Sequence, residues 1–193
     1  FRRSRQAQKA WADTDVKQRV KVMKRFHHLV AKHRELLADF IQLETGKDRT
    51  AAFDEVLDVL NNARYYSNNA PKLLVTQKQP GAFPLITKTH LQRVPKGVVG
   101  QISPWNYPLA LGISDAVAAL LAGNGVVAKP DGSTPFSNLI SLYLLKEAGL
   151  PKDLLQIVTG SGEEVGGADW PYWQAKRRDE GFELFINACA TGG

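Results

Sequence analysis

The sequence predicts an α/β protein built around a parallel sheet. Short apolar runs alternate with helix-length patterns between residues 96 and 166. Two amphipathic helical patterns precede them within residues 1–71, and a turn-rich, β-prone segment at 72–95 separates the two parts. Residues 167–193 follow none of these patterns, so we expect four regions along the chain.

Two helices are predicted before residue 71. The first spans residues 15–43, where apolar residues recur at helical spacing, and Gly46 is suited to end it. The second spans residues 48–69, and Pro71 is expected to stop it. The apolar residues of the first pattern are Val16, Val20, Met23, Phe26, Val30, Leu36, Leu37, Phe40 and Ile41.

A β-hairpin is predicted within residues 72–95. β-prone stretches at 73–76 and 85–94 flank the turn signal Gln-Pro-Gly-Ala-Phe-Pro at 79–84. The second stretch alternates loosely between polar and apolar residues. We therefore expect an exposed hairpin that serves as an interface element.

A βαβαβ unit is predicted next. Its strands cover residues 97–102, 125–128 and 154–158, and its helices cover residues 109–121 and 136–148. Strands alternating with helices of this length form a parallel sheet through right-handed crossovers. Because parallel sheets bind ligands at the carboxyl ends of their strands, the residues that follow each strand are the candidate site.

The first strand runs into Ser-Pro-Trp-Asn-Tyr-Pro at 103–108. Pro104 and Pro108 restrict the backbone on both sides of Asn106, and Trp105 and Tyr107 are expected to wedge the turn in place. Two interpretations of Asn106 stay open at this point. Its side chain either caps the next helix or presents its amide to a developing oxyanion.

The second and third strands also end in unusual residues. Lys129, at the tip of an apolar strand, must reach either water or an anion, and Pro130 and Gly132 favour a shaped loop. Residues 160–166 read G-x-G-x-x-x-G, one residue longer than the dinucleotide fingerprint and after the third strand instead of the first. We therefore favour a glycine-rich loop that lets the backbone approach a ligand or a helix closely, and not an orthodox dinucleotide fingerprint.

Composition excludes several function classes. The net charge of +6 comes from the first 50 residues, which hold 13 of the 25 Lys and Arg residues on a helical pattern. A solvated helix face is the favoured interpretation, so we expect no nucleic-acid partner. No apolar run is long enough for a membrane helix, and His27, His28 and His33 lack a suitably spaced carboxylate or further histidine to complete a metal site. The single cysteine, Cys189, fits a reducing cytoplasm.

Four stretches together resemble the aldehyde dehydrogenase superfamily: GVVGQISPWNYPL, AALLAGNGVVAKPDGSTPFS, LLKEAGLP and LQIVTGSGEEVG. They occur in the family's order and spacing, and the resemblance extends from about Trp11 to Gly166. The first stretch and KPDGSTP look most like the bacterial succinate-semialdehyde dehydrogenase branch. The resemblance implies a Rossmann-like coenzyme-binding domain, incomplete here, with N-terminal helices packed on it and the hairpin as an oligomerisation arm.

The resemblance also implies roles for individual residues. Asn106 matches the asparagine whose amide helps to hold the thiohemiacetal oxyanion, and Lys129 matches the lysine that hydrogen-bonds the adenosine ribose. Asn187 and Ala188 lie near the register of the turn that carries the coenzyme pyrophosphate. Coenzyme contacts are implied for Ile102, Ser103, Trp105, Asn106, Lys129, Asp131, Gly132, Gly166, Asn187 and Ala188.

Two departures from the family pattern matter. Gly132 stands where many NAD-preferring members have a glutamate, so repulsion of a 2′-phosphate is removed and NADP is expected to serve at least as well as NAD. Residues 168–183 match nothing in the family, which suggests a frameshifted, misassigned or processed tail. Cys189 lacks the family's nucleophile context, so we do not expect it to be the nucleophile.

We expect the complete protein to oxidise an aldehyde, succinate semialdehyde in particular, with NADP or NAD. The family's nucleophilic cysteine and general-base glutamate lie beyond the matching part, so this chain alone is expected to be inactive. The alternative is a non-catalytic nucleotide-binding or oligomerising fragment. The expected partners are the small-molecule aldehyde and further copies of the protein, as a dimer or tetramer, in the cytoplasm.

Overall fold

The computed structural model describes residues 1–83 and 86–159 and the backbone of residues 183–186. These residues contain six helices and six strands. The helices are α1 Arg2–Asp13, α2 Val16–Lys32, α3 Arg34–Thr45, α4 Arg49–Leu73, α5 Pro108–Leu121 and α6 Phe136–Glu147. The strands are β1 Gln77–Gln79, β2 Thr89–Leu91, β3 Val98–Ser103, β4 Gly125–Pro130, β5 Leu155–Ile157 and β6 Glu183–Ile186.

The main sheet is parallel and has the strand order β5-β4-β3-β6. Numbered along the chain within this sheet, the order is 3-2-1-4, as in the first part of a Rossmann sheet. The predicted fold class is therefore confirmed. The order reverses between β3 and β6, so the carboxyl end of β3 lies at the topological switch point where such sheets bind ligands.

The N-terminal part contains four helices, so the prediction of two is wrong in number. The pattern at 15–43 divides at His33, which ends α2 and precedes α3 with φ −103° and ψ 21°. Periodicity does not reveal this break because the two helices bury their apolar residues in one core. Phe26 of α2 and Leu37 of α3 are both fully buried there.

The sequence pattern does not predict α1, because this helix is attached to the rest of the protein mainly by side-chain hydrogen bonds and not by a stripe of apolar residues. Ser4 Oγ donates to the carbonyl of Leu154 at 2.9 Å, and Gln8 Nε2 donates to the carbonyl of Gly123 at 3.0 Å. Both carbonyls belong to turns that lead into strands. α1 therefore lies across the amino-terminal edge of the sheet, opposite the ligand-binding edge.

The hairpin is confirmed, but its boundaries differ from the prediction. β1 and β2 pair antiparallel, with Gln77 opposite Leu91. The strand predicted at 73–76 is wrong: α4 continues through Pro71 to Leu73. Pro71 falls in the last turn of α4, where its missing N–H removes only one hydrogen bond from the end of the helix. Every residue of β2 is exposed.

One apolar core joins the helices to the sheet. It is formed by α2, α3 and α4 packing on α5 and α6, which in turn cover one face of β4 and β5. Among the residues that the structure describes, no helix combines the length and hydrophobicity needed to cross a bilayer. The core thus connects β4 and β5, through α5 and α6, to the N-terminal helices.

Candidate functional site

The carboxyl ends of β3 and β4 lie side by side. Ile102 is the register partner of Lys129, and Ser103 is the partner of Pro130. Beyond the strands, the N–H of Asp131 donates to the carbonyl of Ser103 at 3.1 Å. The structure therefore brings two of the three predicted strand-end segments, Ser103–Tyr107 and Lys129–Ser133, to one edge of the sheet.

Asn106 does not cap the helix that follows it. α5 begins at Pro108, its N-cap is Tyr107, and the Tyr107 side chain makes no capping hydrogen bond. The Oδ1 atom of Asn106 is buried without a hydrogen-bond partner among the described residues. The capping interpretation is therefore wrong, and the amide is left for another role.

The two rings beside Asn106 do not wedge the turn as predicted. Trp105 is 55% exposed and Tyr107 is 48% exposed. The Tyr107 ring instead lies under the ammonium of Lys47, whose Nζ is 4.2 Å from the ring centroid. The segment is thus held by a cation from the α3–α4 turn, with little packing around its own rings.

Sequence reasoning missed a buried ion pair behind this segment. Lys47 Nζ donates to Glu55 Oε1 at 2.5 Å and to the carbonyl of Asn106 at 2.7 Å. Glu55 Oε2 accepts from the N–H groups of Leu109 (3.0 Å) and Ala110 (3.1 Å) in the first turn of α5. A signal for Glu55 exists in the sequence: it is an acidic residue on the apolar face of α4, which requires a buried partner.

A second carboxylate caps α6 in the same way. Glu44 of α3 accepts hydrogen bonds from the N–H of Phe136 and from the N–H and hydroxyl of Ser137. Carboxylates are favoured at helix N-termini, where the unpaired N–H groups carry partial positive charge. Because both α5 and α6 are capped, a coenzyme pyrophosphate requires a binding position elsewhere.

The carboxyl end of β4 carries a lysine suited to a polar ligand. The Nζ of Lys129 is buried and has no hydrogen-bond partner among the described residues. A buried, unpartnered ammonium is costly, so ribose hydroxyls or a phosphate of a nucleotide coenzyme fit this position. Asp131 instead shapes the turn that contains Gly132, because its Oδ1 accepts from the N–H and hydroxyl of Ser133.

Three predicted coenzyme residues, Gly166, Asn187 and Ala188, lie outside the described residues, as do residues 160–166 as a whole and Cys189. The described strand β6 ends at Ile186 and pairs with Ile102 of β3. In sequence, Asn187 directly follows the strand on the far side of the switch point. Its predicted contact with the coenzyme stays a prediction.

A cavity of about 480 Å³ lies away from this edge, between β3, α5 and the segment that leads into β3. None of the predicted site residues lines it. The lining residues are Leu74, Arg93, Val94, Lys96, Val99, Gln101, Asp115, Ala118, Ala119, Ala122 and Asn124. The described site residues predicted from the sequence therefore lie at the strand ends and not around this cavity.

Comparison with known proteins gives a consistent result. The aldehyde dehydrogenase family matches residues 1–168. A putative succinate-semialdehyde dehydrogenase [NADP(+)] of Mycolicibacterium smegmatis is 52% identical over 168 residues, which cover 87% of this chain and 32% of that protein. This chain thus spans about a third of the length of that relative, and the family match ends at residue 168, at the start of the divergent tail.

Solved structures extend the likeness to the fold. A NAD-dependent benzaldehyde dehydrogenase from Corynebacterium glutamicum superposes with a TM-score of 0.79 at 29% identity, covering 95% of this chain and 44% of that one. A 3,6-anhydro-L-galactose dehydrogenase in complex with NAP gives 0.76 at 33% identity, covering 83% of this chain and 33% of that one. On the family match, the sequence identity and the shared fold, this chain belongs to the aldehyde dehydrogenase family.

Proposed function

We propose that this chain supplies the coenzyme-binding edge and the oxyanion-holding asparagine of an NAD(P)-dependent aldehyde dehydrogenase. The observation that carries the proposal is the buried, unpartnered Nζ of Lys129 at the shared carboxyl edge of β3 and β4. A nucleotide coenzyme offers hydroxyl and phosphate oxygens that satisfy this ammonium. The same edge carries Asn106, so coenzyme and aldehyde meet there.

In this proposal Asn106 acts on the aldehyde oxygen. The Nδ2 group is the end of the amide that donates to an oxyanion, because the Oδ1 atom can only accept hydrogen bonds. A cysteine thiolate elsewhere in the complete protein adds to the aldehyde, and Asn106 stabilises the oxygen of the resulting thiohemiacetal. A bound nicotinamide coenzyme would supply the hydride acceptor for that carbon. A glutamate of the complete protein activates the water that releases the acid.

Succinate semialdehyde is the substrate we propose. The support is the name of the M. smegmatis relative, which is 52% identical over the shared residues. The same name specifies NADP(+), and Gly132 is compatible with a 2′-phosphate because it carries no charge. We therefore propose NADP as a coenzyme at least as good as NAD.

We also propose that the hairpin mediates assembly and that the protein is cytoplasmic. The hairpin exposes apolar side chains, among them Phe83 at 65% and Ile86 at 83%, which supports an oligomerisation arm in a dimer or tetramer. We propose residues 1–71 as the N-terminal helices packed on the coenzyme domain, 72–95 as the arm, 96–166 as the coenzyme-binding core and 167–193 as a divergent tail. The lone cysteine supports a cytoplasmic location.

The second candidate is a nucleotide-binding or oligomerising chain without catalysis. The observations that favour it are the unpartnered Nζ of Lys129 and the exposed apolar residues of the hairpin, neither of which requires catalysis. The two candidates differ in one assay. Under the first, the complete protein reduces NADP with succinate semialdehyde while the 193-residue chain does not. If the complete protein also fails to oxidise any aldehyde but binds NADP, the second candidate replaces the first.

Coenzyme binding tests the role of Lys129 directly. In the complete protein, Lys129→Met removes a charge-assisted hydrogen bond and is expected to weaken NADP binding roughly 10- to 100-fold by calorimetry. The matched control is Lys152→Met, which removes an exposed lysine from the turn before β5. Equal Kd values for NADP in both variants would refute the coenzyme site.

A further inference from the structure

We propose that Lys47 and Glu55 are positioning residues for Asn106. The proposal rests on the proposed function, because it takes Asn106 as the oxyanion donor. Neither residue touches the reacting atoms. Instead, their side chains bind the backbone carbonyl of Asn106 and the first N–H groups of α5 that follow it, and we call them the Lys47–Glu55 pair.

Lys47 holds the residue itself. Its ammonium donates to the backbone carbonyl of Asn106 at 2.7 Å and lies 4.2 Å from the centroid of the Tyr107 ring. The side chain of Lys47 is only 16% exposed, so water competes weakly for these contacts. The contact to the main chain is independent of the Asn106 side chain, which leaves the amide free to meet a ligand.

Glu55 holds the segment one turn further on. Its side chain is 0% exposed, and each of its two carboxylate oxygens accepts hydrogen bonds from a different part of the chain. Oε1 accepts from Lys47, while Oε2 accepts from the N–H groups of Leu109 and Ala110. Since one carboxylate joins the ammonium to the start of α5, a change at either side chain affects the same backbone segment.

The Lys47–Glu55 pair therefore affects the geometry of Asn106, the proposed oxyanion donor. The rings of Trp105 and Tyr107 are about half exposed, whereas the contact from Lys47 to the carbonyl of Asn106 is made by a largely buried side chain. A misplacement of a catalytic group by about 1 Å costs on the order of 100-fold in rate. Loss of the Lys47 ammonium is therefore expected to lower kcat much more than coenzyme affinity.

A double-mutant cycle in the complete protein tests this inference. Lys47→Met keeps the length of the apolar stem and removes the charge, and we expect kcat to fall roughly 10- to 100-fold with a much smaller change in the Kd for NADP. Asn106→Ala removes the donor. If Lys47 acts through Asn106, adding Lys47→Met to Asn106→Ala causes little further loss of kcat. Lys47→Arg, which can still donate to the carbonyl, is expected to recover part of the lost rate.

Arg19 provides the matched control. Its Nη1 donates to the carbonyls of Trp11, Ala12 and Thr14 at 3.2, 3.1 and 2.9 Å, so it too is a buried cation that holds a turn, but at the opposite edge of the sheet. Arg19→Met is expected to lower the melting temperature without lowering kcat. Full additivity of Lys47→Met and Asn106→Ala, or an unchanged kcat in Lys47→Met, would overturn the inference. An inactive wild-type protein would instead contradict the proposed function.

Discussion

The amide of Asn138 on α6 lies directly against Gly112 on α5. Its Nδ2 donates to the carbonyl of Pro108 at 3.0 Å, and the side chain is fully buried. A Cβ atom placed on Gly112 would overlap all three terminal atoms of this amide. The two helices therefore approach as closely as they do because residue 112 has no side chain.

This contact predicts the effect of Gly112→Ala. Alanine favours helix by about 1 kcal/mol over glycine, but the overlap with Asn138 costs about 1–3 kcal/mol, so we expect no gain and a net loss of stability. In an Asn138→Ala background the overlap is gone, and Gly112→Ala should become neutral or stabilising. Urea denaturation of the four proteins measures both effects. Stabilisation by Gly112→Ala in the wild-type background would show that the amide moves aside freely.

Among the charged residues, Glu55 is predicted to be the one whose substitution lowers the free energy of unfolding most. Glu55→Ala leaves Lys47 without its counter-charge and the first N–H groups of α5 unpaired, and breaking such a buried pair costs about 3–5 kcal/mol. Glu55→Gln keeps one carbonyl acceptor and should cost less. The measurement is the free energy of unfolding in urea.

The exposed ion pair between Arg49 and Glu35 serves as the control for Glu55. The side chains there are 35% and 61% exposed, and such pairs contribute at most about 1 kcal/mol. Glu35→Ala should therefore lower stability far less than Glu55→Ala. Equal losses in the two variants would contradict the importance we assign to the buried pair.

The lowered pKa of His27 predicts that the stability of the protein depends on pH. Burial lowers its pKa below the usual value, and the positive charges of Arg64 and His28 lower it further. The unfolded chain therefore binds a proton on this residue at higher pH than the folded chain does. Stability should fall as the pH drops below about 6.5, the value for an unperturbed histidine.

Melting temperatures at pH 7.5 and 5.5 check this expectation, because few carboxylates change charge in that window. His27→Gln should lose less stability than the wild type between the two pH values. Arg64→Met, which removes one of the charges opposing protonation, should also reduce the difference. A wild type and a His27→Gln variant with the same pH dependence would exclude the effect.

Gly132 predicts coenzyme preference in the complete protein. Gly132→Glu introduces a negative charge beside the position proposed for the ribose, and a 2′-phosphate is repelled more than a 2′-hydroxyl. We expect the affinity for NADP to fall by roughly tenfold or more relative to that for NAD. The control is Gly132→Gln, which adds a similar volume without charge. An unchanged NADP to NAD ratio of Kd values in Gly132→Glu would contradict the argument.

The sequence predicts those parts of the fold whose signal is local. β3, β4 and α5 occur within one or two residues of their predicted bounds, because their apolar runs end at proline and glycine. α1 and β6 escape prediction because each depends on a distant partner: the turns before β4 and β5 for α1, and β3 for β6.

The candidate site also has a part that the sequence predicts and a part that it does not. The positions of Asn106 and Lys129 follow from strand ends, which the pattern identifies. The Lys47–Glu55 pair does not follow, because its partners are backbone atoms more than 50 residues away along the chain. Only the unusual placement of an acid on an apolar helix face points to it.

The late position of β6 in the chain has a consequence for folding during synthesis. Val99 and Ile102 of β3 pair with Glu183 and Ile186, which leave the ribosome after every other described element. Until then, β3 presents an open row of N–H and C=O groups along one side, a surface on which nascent chains associate with one another. Closing that row is a slow, long-range step, so this region is where we expect dependence on chaperones to be greatest.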